Sequence, residues 1–295
     1  MASIPMLLDS SDALEALSRI EVLYTDLDGT LLGFGGSLLR DGDGQPSTVT
    51  AEAIVRLNVA ELTVVITSGR NRIQTGELAR VFGWRGSIAE LGCVIVPDRG
   101  ADPIYLTGDW PEGLLADGDT PYSVIERAGA IRALMEAFPG RLEPHEPYHQ
   151  NREATVLLRG LVDADAARAV LSTFPIPIEL VDNGIVQPVR TGLVKLPEIH
   201  AYHLMPPGVT KADAISVDLA RRGLSRDQAA AIGDSAADVE MGDVTALIAM
   251  VSNALDDERV MQSAAGRTNV YAMAGKRGDG WAQFADAWIA ARAAR

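Results

Sequence analysis

Short apolar runs, each ending on a polar residue and alternating with segments of helical period, constrain this chain more than any other feature. IEVLYTD (20–26), LTVVITSGR (62–70), QAAAIGD (228–234) and ALIAMVSNA (246–254) read as buried strands. Strands buried on both faces need helices above and below a mainly parallel sheet. Helical segments fall between them. TAEAIVRLNVAEL (50–62) sets Ile54, Leu57 and Leu62 on one side, with Thr50 as the expected N-cap. NRIQTGELARVFG (71–83) should stop near Gly83, and KADAISVDLARRG (211–223) is a further helix. SIAELGCVIV (87–96) reads as another strand or a pair of strands. The fold class expected is α/β, a Rossmann-like, doubly wound and mainly parallel sheet.

The alternation is interrupted between about Pro97 and Pro207, where proline and glycine thicken through PDRGADP, GDWPEGLLADGDTPY and RLEPHEPYHQNRE. Within it we expect a helix in YSVIERAGAIRALMEAF, a strand in TVLLRGLV, a helix in DADAARAVLSTF and strands around IELVDN and GIVQPVR. PEIHAYHLMP (197–206), whose His200 and His203 are spaced for neither face of a strand, reads as the return from this insertion. The expected plan is a discontinuous core of residues 1–96 and 208–295, with a smaller α+β cap inserted over 97–207.

Composition excludes several functions. The net charge of −14 over 295 residues repels nucleic acid and anionic lipid, so a phosphorylated ligand needs local groups or a cation to hold it. The N-terminal MASIPMLLDSSDALEAL lacks the pattern of a signal peptide, and no apolar stretch reaches membrane-spanning length. A soluble, cytoplasmic protein is expected. The single cysteine, Cys93, excludes an internal disulfide and fits a small buried hydrophobe.

In an open parallel sheet, ligands bind outside the carboxyl ends of the strands, and four stretches lie there. Asp26 and Asp28 end the first run. On a continuing strand they point to one side, and a divalent ion with oxygen ligands is the economical way to relieve their repulsion. Asp, Gly and Thr equally suit a β-turn. Thr67-Ser68-Gly69-Arg70 ends the second run, where a hydroxyl and a glycine turn suit an anion, although Ser68 or its neighbour also suits a helix N-cap. In GVTKADAI, Thr210 and Asp213 form a capping-box pair, and Lys211 falls in the first turn, where the helix dipole disfavours a cation unless an anion faces it. In AAAIGDSAADVEM, Asp234 ends a strand and Asp238 follows one helical turn later, a repelling pair that invites a cation or a solvated acidic helix start.

These four stretches together, DLDGT (26–30), SGR (68–70), Lys211 in GVTKADA and GDSAADVEM (233–241), resemble the haloacid dehalogenase (HAD) superfamily of phosphohydrolases. A cap inserted between the second and third stretches is similar to the type IIB, or Cof-like, branch. The resemblance implies a phosphatase that hydrolyses a small phosphomonoester such as a sugar phosphate or a phosphorylated glycosyl compound. It implies that Asp26 attacks phosphorus to give an aspartyl phosphate, and that Asp28 protonates the leaving oxygen and then activates water. It further implies Mg2+ held by Asp26, the main-chain carbonyl of Asp28, and Asp234, with Asp238 acting through water or by orientation. Ser68, Lys211 and the main chain near Gly29 and Gly69 would hold phosphoryl oxygens, with Asn253 a further candidate. Ala237 stands where many relatives carry asparagine, which removes one side-chain hydrogen bond near the metal.

A phosphosugar mutase using the same aspartyl phosphate, and a non-catalytic phosphate-binding protein on the same fold, are the rival readings. Substrate recognition is expected from the cap, through Tyr148, His149, Arg152 and Arg190, although ordinary surface polarity explains each of them. HEPYH (145–149) matches the zinc-protease pattern HExxH, but Pro147 breaks the helix that pattern needs.

Overall fold

The computed structural model describes residues 4–188 and 190–294. Among them the first unit runs α1 (Ser11–Arg19), β1 (Val22–Thr25), α2 (Val49–Val59), β2 (Thr63–Thr67), α3 (Arg72–Phe82), β3 (Ser87–Ala89), β4 (Val94–Val96) and β5 (Ile104–Tyr105). A second set follows: α4 (Pro121–Ala128), α5 (Ala130–Ala137), β6 (Leu142–Pro144), β7 (Val156–Gly160), α6 (Ala164–Leu171), β8 (Glu179–Ile185) and β9 (His200–Met205). The chain then resumes with α7 (Lys211–Arg222), β10 (Ala229–Gly233), α8 (Ala236–Val239), β11 (Leu247–Met250), α9 (Glu258–Ala264), β12 (Val270–Ala272) and α10 (Arg277–Ala293).

Two sheets result. The larger has the order β12-β11-β10-β1-β2-β3-β4-β5 and is parallel from β12 through β3. Its last two pairings, β3 with β4 and β4 with β5, are antiparallel. The smaller sheet, β6-β7-β9-β8, is antiparallel throughout.

The period of two in the central strands explains why both faces of the larger sheet are covered. Leu23, Val64, Ile66, Ala230 and Ile232 face one core with Leu57, Trp281, Phe284 and Trp288. Val22, Tyr24, Val65, Ala229 and Ala231 face the other with Ile215, Leu219 and Met250. The indole of Trp281 is fully buried, and its Nε1 donates to Thr25 Oγ1 at 2.9 Å, tying α10 to the end of β1.

Several local expectations need correction. The N-cap of helix α2 lies two residues earlier than expected, at Thr48, whose side chain makes no capping hydrogen bond, and Thr50 is a buried residue inside the helix. The helical stretch 122–138 is broken in two by Gly129, whose φ of 84° is left-handed. IELVDN and the start of GIVQPVR form one strand, β8, because its pairing to β9 continues across an irregularity between Asp182 and Ile185. His200 and His203 do not lie in a connecting segment; they belong to β9, whose hydrogen bonds to both β7 and β8 make it a central strand of the smaller sheet.

Because the site hangs from the end of β1, Trp281→Ala should lower the unfolding free energy by about 3–5 kcal/mol, measured by urea denaturation. A variant as stable as the parent would show that α10 does not anchor this strand.

Candidate active site

The four stretches meet at the carboxyl ends of β1, β2 and β10, beside the N-terminus of α7. Asp26 follows β1 directly, its N–H still donating to Ile232 O at 3.0 Å in the pattern of the sheet. Lys211 is the first residue of α7, whose N-cap Thr210 and Asp213 form the expected capping box. Its ammonium lies between two carboxylates, donating to Asp26 Oδ1 at 2.7 Å and to Asp238 Oδ1 at 2.6 Å. All three side chains are buried.

Oxygens of Asp26, Asp234 and Asp238 lie within 4.8 Å of one another. Asp234 Oδ1 accepts from Thr30 Oγ1 at 3.0 Å. Asp238 Oδ2 accepts from Ser235 N at 3.0 Å, Ser235 Oγ at 2.7 Å and Asp234 N at 3.2 Å. The expected shared helical face does not occur: Asp234 precedes the N-cap Ser235, and only Asp238 is in α8. The two meet because the carboxylate of Asp238 folds back over the N-cap.

Gly29, with φ of 90°, makes this approach possible, since a Cβ there would lie 2.1 Å from Asp234 Oδ2. Asn253 supports the same turn from behind, donating through Nδ2 to Gly29 O at 3.0 Å. Neither Gly29 nor Asn253 lines the cavity described below.

Burial dominates the electrostatics. It pushes Asp26 up to about 7, with Lys211 opposing and Asp238 adding to the rise. Asp234 is held well above the usual carboxylate range by burial and by the charges of Asp26 and Asp238. For Asp238 burial acts in the same direction, but Lys211 and Ser235 overcome it and the group lies below its ordinary value. Lys211 is raised because its two carboxylates outweigh burial. Three carboxylates facing one ammonium leave an excess of negative charge, and every donor is an oxygen. That set fits a hard divalent cation.

Asp28 is not part of this trio. The expectation that it shares a direction with Asp26 fails because β1 ends at Thr25. Its half-exposed carboxylate turns instead to Arg70, which donates to it twice, Nε at 2.7 Å and Nη2 at 2.6 Å. Ser68 is buried, and its Oγ accepts from Arg70 N at 3.3 Å. It does not cap α3; Asn71 does, in a capping box with Gln74.

Asp26, Asp28, Ser68, Gly69, Lys211, Asp234 and Asp238 line one cavity of about 740 Å3, with residues of the smaller sheet on its opposite side. Of the four expected cap residues, Tyr148 and Arg152 line it; His149 and Arg190 do not. Arg152 is buried and committed to protein partners, with Nη2 donating to Gly69 O at 2.8 Å and Nε to Thr155 Oγ1 at 2.9 Å. Arg190 is exposed and contributes its carbonyl, which accepts from Arg159 Nη2 at 2.8 Å. His149 lies in a turn and His145 in no helix, which removes the HExxH geometry. Sequence reasoning gave no cavity role to Arg70, His145 or Asn183, and only a structural or substrate-edge one to His203; all four line it. For Arg70 the available signal was its fixed place two residues after Ser68.

A sequence profile of haloacid dehalogenase-like hydrolases matches residues 23–107 and 197–269. The chain is 29% identical over 237 residues to the phosphoglycolate phosphatase of Methanoculleus marisnigri, covering 80% of this chain and 85% of that one. In structure it is similar to a haloacid dehalogenase-like hydrolase from Bacteroides thetaiotaomicron, with a TM-score of 0.60 and 19% identity over 91% of this chain and 99% of that one. It is also similar to the sucrose-phosphatase of Synechocystis sp. PCC6803, solved with sucrose and phosphate, with a TM-score of 0.59 and 14% identity over 92% and 98%. The chain belongs to the haloacid dehalogenase-like hydrolases, in the type IIB architecture with an α+β cap. It is a phosphoric monoester hydrolase of that class.

Removing the ammonium should expose how much the trio depends on it. Lys211→Met is expected to destabilise the fold by about 3–5 kcal/mol at pH 8, as for a buried ion pair that loses one partner. Millimolar Mg2+ should recover part of that loss in denaturant titrations. A variant as stable as the parent in chelator would contradict the charge balance described above.

Proposed function

We propose that the chain hydrolyses a small phosphomonoester, of the sugar-phosphate or phosphorylated glycosyl class, through an aspartyl phosphate on Asp26. One observation carries the choice of nucleophile. Both oxygens of Asp238 are occupied by donors, and Asp234 is engaged by Thr30, whereas Asp26 Oδ2 has no hydrogen-bond donor among the described residues. An oxygen with its lone pairs uncommitted, at the end of a central strand and on a cavity wall, is placed to attack phosphorus.

In this reading Asp26 forms a bond to phosphorus as the bond to the leaving oxygen breaks, and Asp28 gives that oxygen a proton. Asp28 then takes a proton from water, which displaces phosphate and restores the Asp26 carboxylate. The two hydrogen bonds from Arg70 occupy both oxygens of Asp28, so proton delivery requires that pair to open. Lys211 and Ser68, with the main chain at Gly69, hold phosphoryl oxygens. The hydroxyl proton of Ser68 has no acceptor among the described residues, consistent with donation to a ligand.

Mg2+ is the proposed metal. Asp26, Asp234 and the Asp28 carbonyl would hold it, where it supplies charge to offset repulsion between the carboxylate and the phosphoryl group. Asp238, with its oxygens committed to Lys211 and Ser235, orients the others.

The insertion expected over 97–207 is the specificity cap in this reading, less β5 (Ile104–Tyr105), which pairs with β4 at the edge of the larger sheet, and a small phosphorylated metabolite is the partner. No helix among the described residues is long and apolar enough to cross a membrane, which accords with a cytoplasmic location. A second reading, a carboxylated two-carbon ester, is favoured by the name of the relative from Methanoculleus marisnigri.

Phosphate release from a panel of phosphomonoesters tests the proposal. Activity should require Mg2+, disappear with chelator, and fall by at least about 1,000-fold in Asp26→Asn. Equal phosphate release by that variant would remove Asp26 from the nucleophile's place.

A further inference from the structure

The cap side of the cavity carries chemistry that the motifs do not explain. In β8, Asp182 pairs with Tyr202 and Ile185 with His200, so Asn183 and Gly184 together stand opposite the single residue Ala201. Two residues against one is a β-bulge, which re-aims a side chain. Here Gly184 takes the left-handed φ of 92°. The Asp182 carboxylate fastens the turn, accepting from Gly184 N at 2.9 Å and lying 2.8 Å from His200 Nδ1.

Asn183, two residues after Val181 and so on the face of β8 opposite Leu180, projects over the turn bearing Ser68. Its Nδ2 lies 3.7 Å from where a Cβ on Gly69 would be. The amide lines the cavity and has no hydrogen-bond partner among the described residues.

His203 reaches the same cavity from β9. Its Nδ1 lies 3.4 Å from Arg152 Nη2 and 3.2 Å from Thr155 Oγ1. A guanidinium only donates, so Nδ1 holds the lone pair and the proton is on Nε2. Among the described residues Nε2 has no hydrogen-bond partner and is left as a neutral donor. Burial and Arg152 hold the imidazole well below its ordinary value, which keeps it uncharged.

The cations at this cavity are already matched. Arg70 is paired with Asp28, Lys211 with Asp26 and Asp238, and Arg152 is held by Gly69 O and Thr155 beside Glu90. With these pairs closed, no positive side chain lining the cavity is left unpaired among the described residues to receive a second anion on the leaving group, and only the opening of Arg70 from Asp28 would supply one.

We propose that Asn183 and His203 are the leaving-group contacts of this site, and that they select esters of uncharged polyhydroxy alcohols over esters whose alcohol carries a carboxylate or a second phosphate. This rests on the phosphatase reading above and decides between its two substrate classes. Hydroxyls of the leaving group exchange hydrogen bonds with the Asn183 amide and the His203 Nε2–H. A site built around such bonds discriminates strongly against analogues that lack them.

The test uses the full chain with Mg2+ and four esters: glycerol 3-phosphate, a hexose 6-phosphate, phosphoglycolate and p-nitrophenyl phosphate. The parent should show kcat/KM at least about tenfold higher for the two polyol esters than for phosphoglycolate. In Asn183→Ala, the ratio of kcat/KM for glycerol 3-phosphate to that for p-nitrophenyl phosphate should fall at least about tenfold. His203→Gln, checked for folding by circular dichroism, should shift the same ratio in the same direction. A preference for phosphoglycolate, or a proportional loss on all four esters, overturns the assignment while the phosphatase reading stands. Failure of every ester to react overturns the phosphatase reading itself.

Discussion

The ammonium of Lys211 is the interaction on which this site depends. Asp26, Asp234 and Asp238 converge at a largely buried point, and repulsion among like charges grows as the local dielectric falls. One cation bonded to two of them makes the arrangement tolerable. Its position follows from the fold in turn. A capping box starts α7 at Lys211, and Ala214, Ile215 and Leu219 seal that helix against the sheet, so the lysine cannot retreat into solvent. A lysine in a first helical turn opposes the helix dipole; the carboxylates it meets there more than offset that cost.

A second buried charge joins the two sheets. Glu90 is fully buried and in a left-handed conformation. Its carboxylate accepts from the main-chain N–H groups of Glu153, Ala154 and Thr155, at 2.9, 3.1 and 2.7 Å. Arg152 lies beside it and donates onward to Gly69 O, while Arg72 grips Glu153 with two hydrogen bonds at 2.6 and 2.7 Å. Pulling residues 152–155 away would strand a buried carboxylate and a buried guanidinium without partners, a loss larger than that of an ordinary surface contact. The turn that carries Ser68 and the cap segment that faces it are therefore built as one unit. Arg152, read in sequence as a contact for substrate, is instead a member of this clasp.

The core motifs were legible in the chain because most sit at the end of an apolar run, and run ends in a parallel sheet face one crevice. Asp26, Ser68 and Asp234 belong to that group, Lys211 and Asp238 were marked instead by their places in the first turns of α7 and α8, and all five line the cavity. Asp28 was legible as a residue but not in its direction. That direction depends on β1 stopping at Thr25 and on an arginine 42 residues further along the chain. Boundaries were less legible where a single backbone conformation decided them, as at Gly129, or where the N-cap side chain makes no capping hydrogen bond, as at Thr48.

Local periodicity and the spacing of polar residues at strand ends were enough to establish the α/β class, the interruption by a smaller unit and the residues of the motifs, because those properties depend on near neighbours in the chain. The cap wall of the cavity was decided otherwise. Tyr148, Arg152, His149 and Arg190 were equivalent in sequence, yet only two reach the cavity and one of these is spent on the clasp. Asn183 and His203 face it because of the strand pairing of β8 with β9 and a bulge in that pairing. The period of two sets the face of His203, which alternates with Tyr202 and Leu204 of the cap core, but which strands lie beside it and where the pairing bulges are set by hydrogen bonds to a strand some twenty residues away.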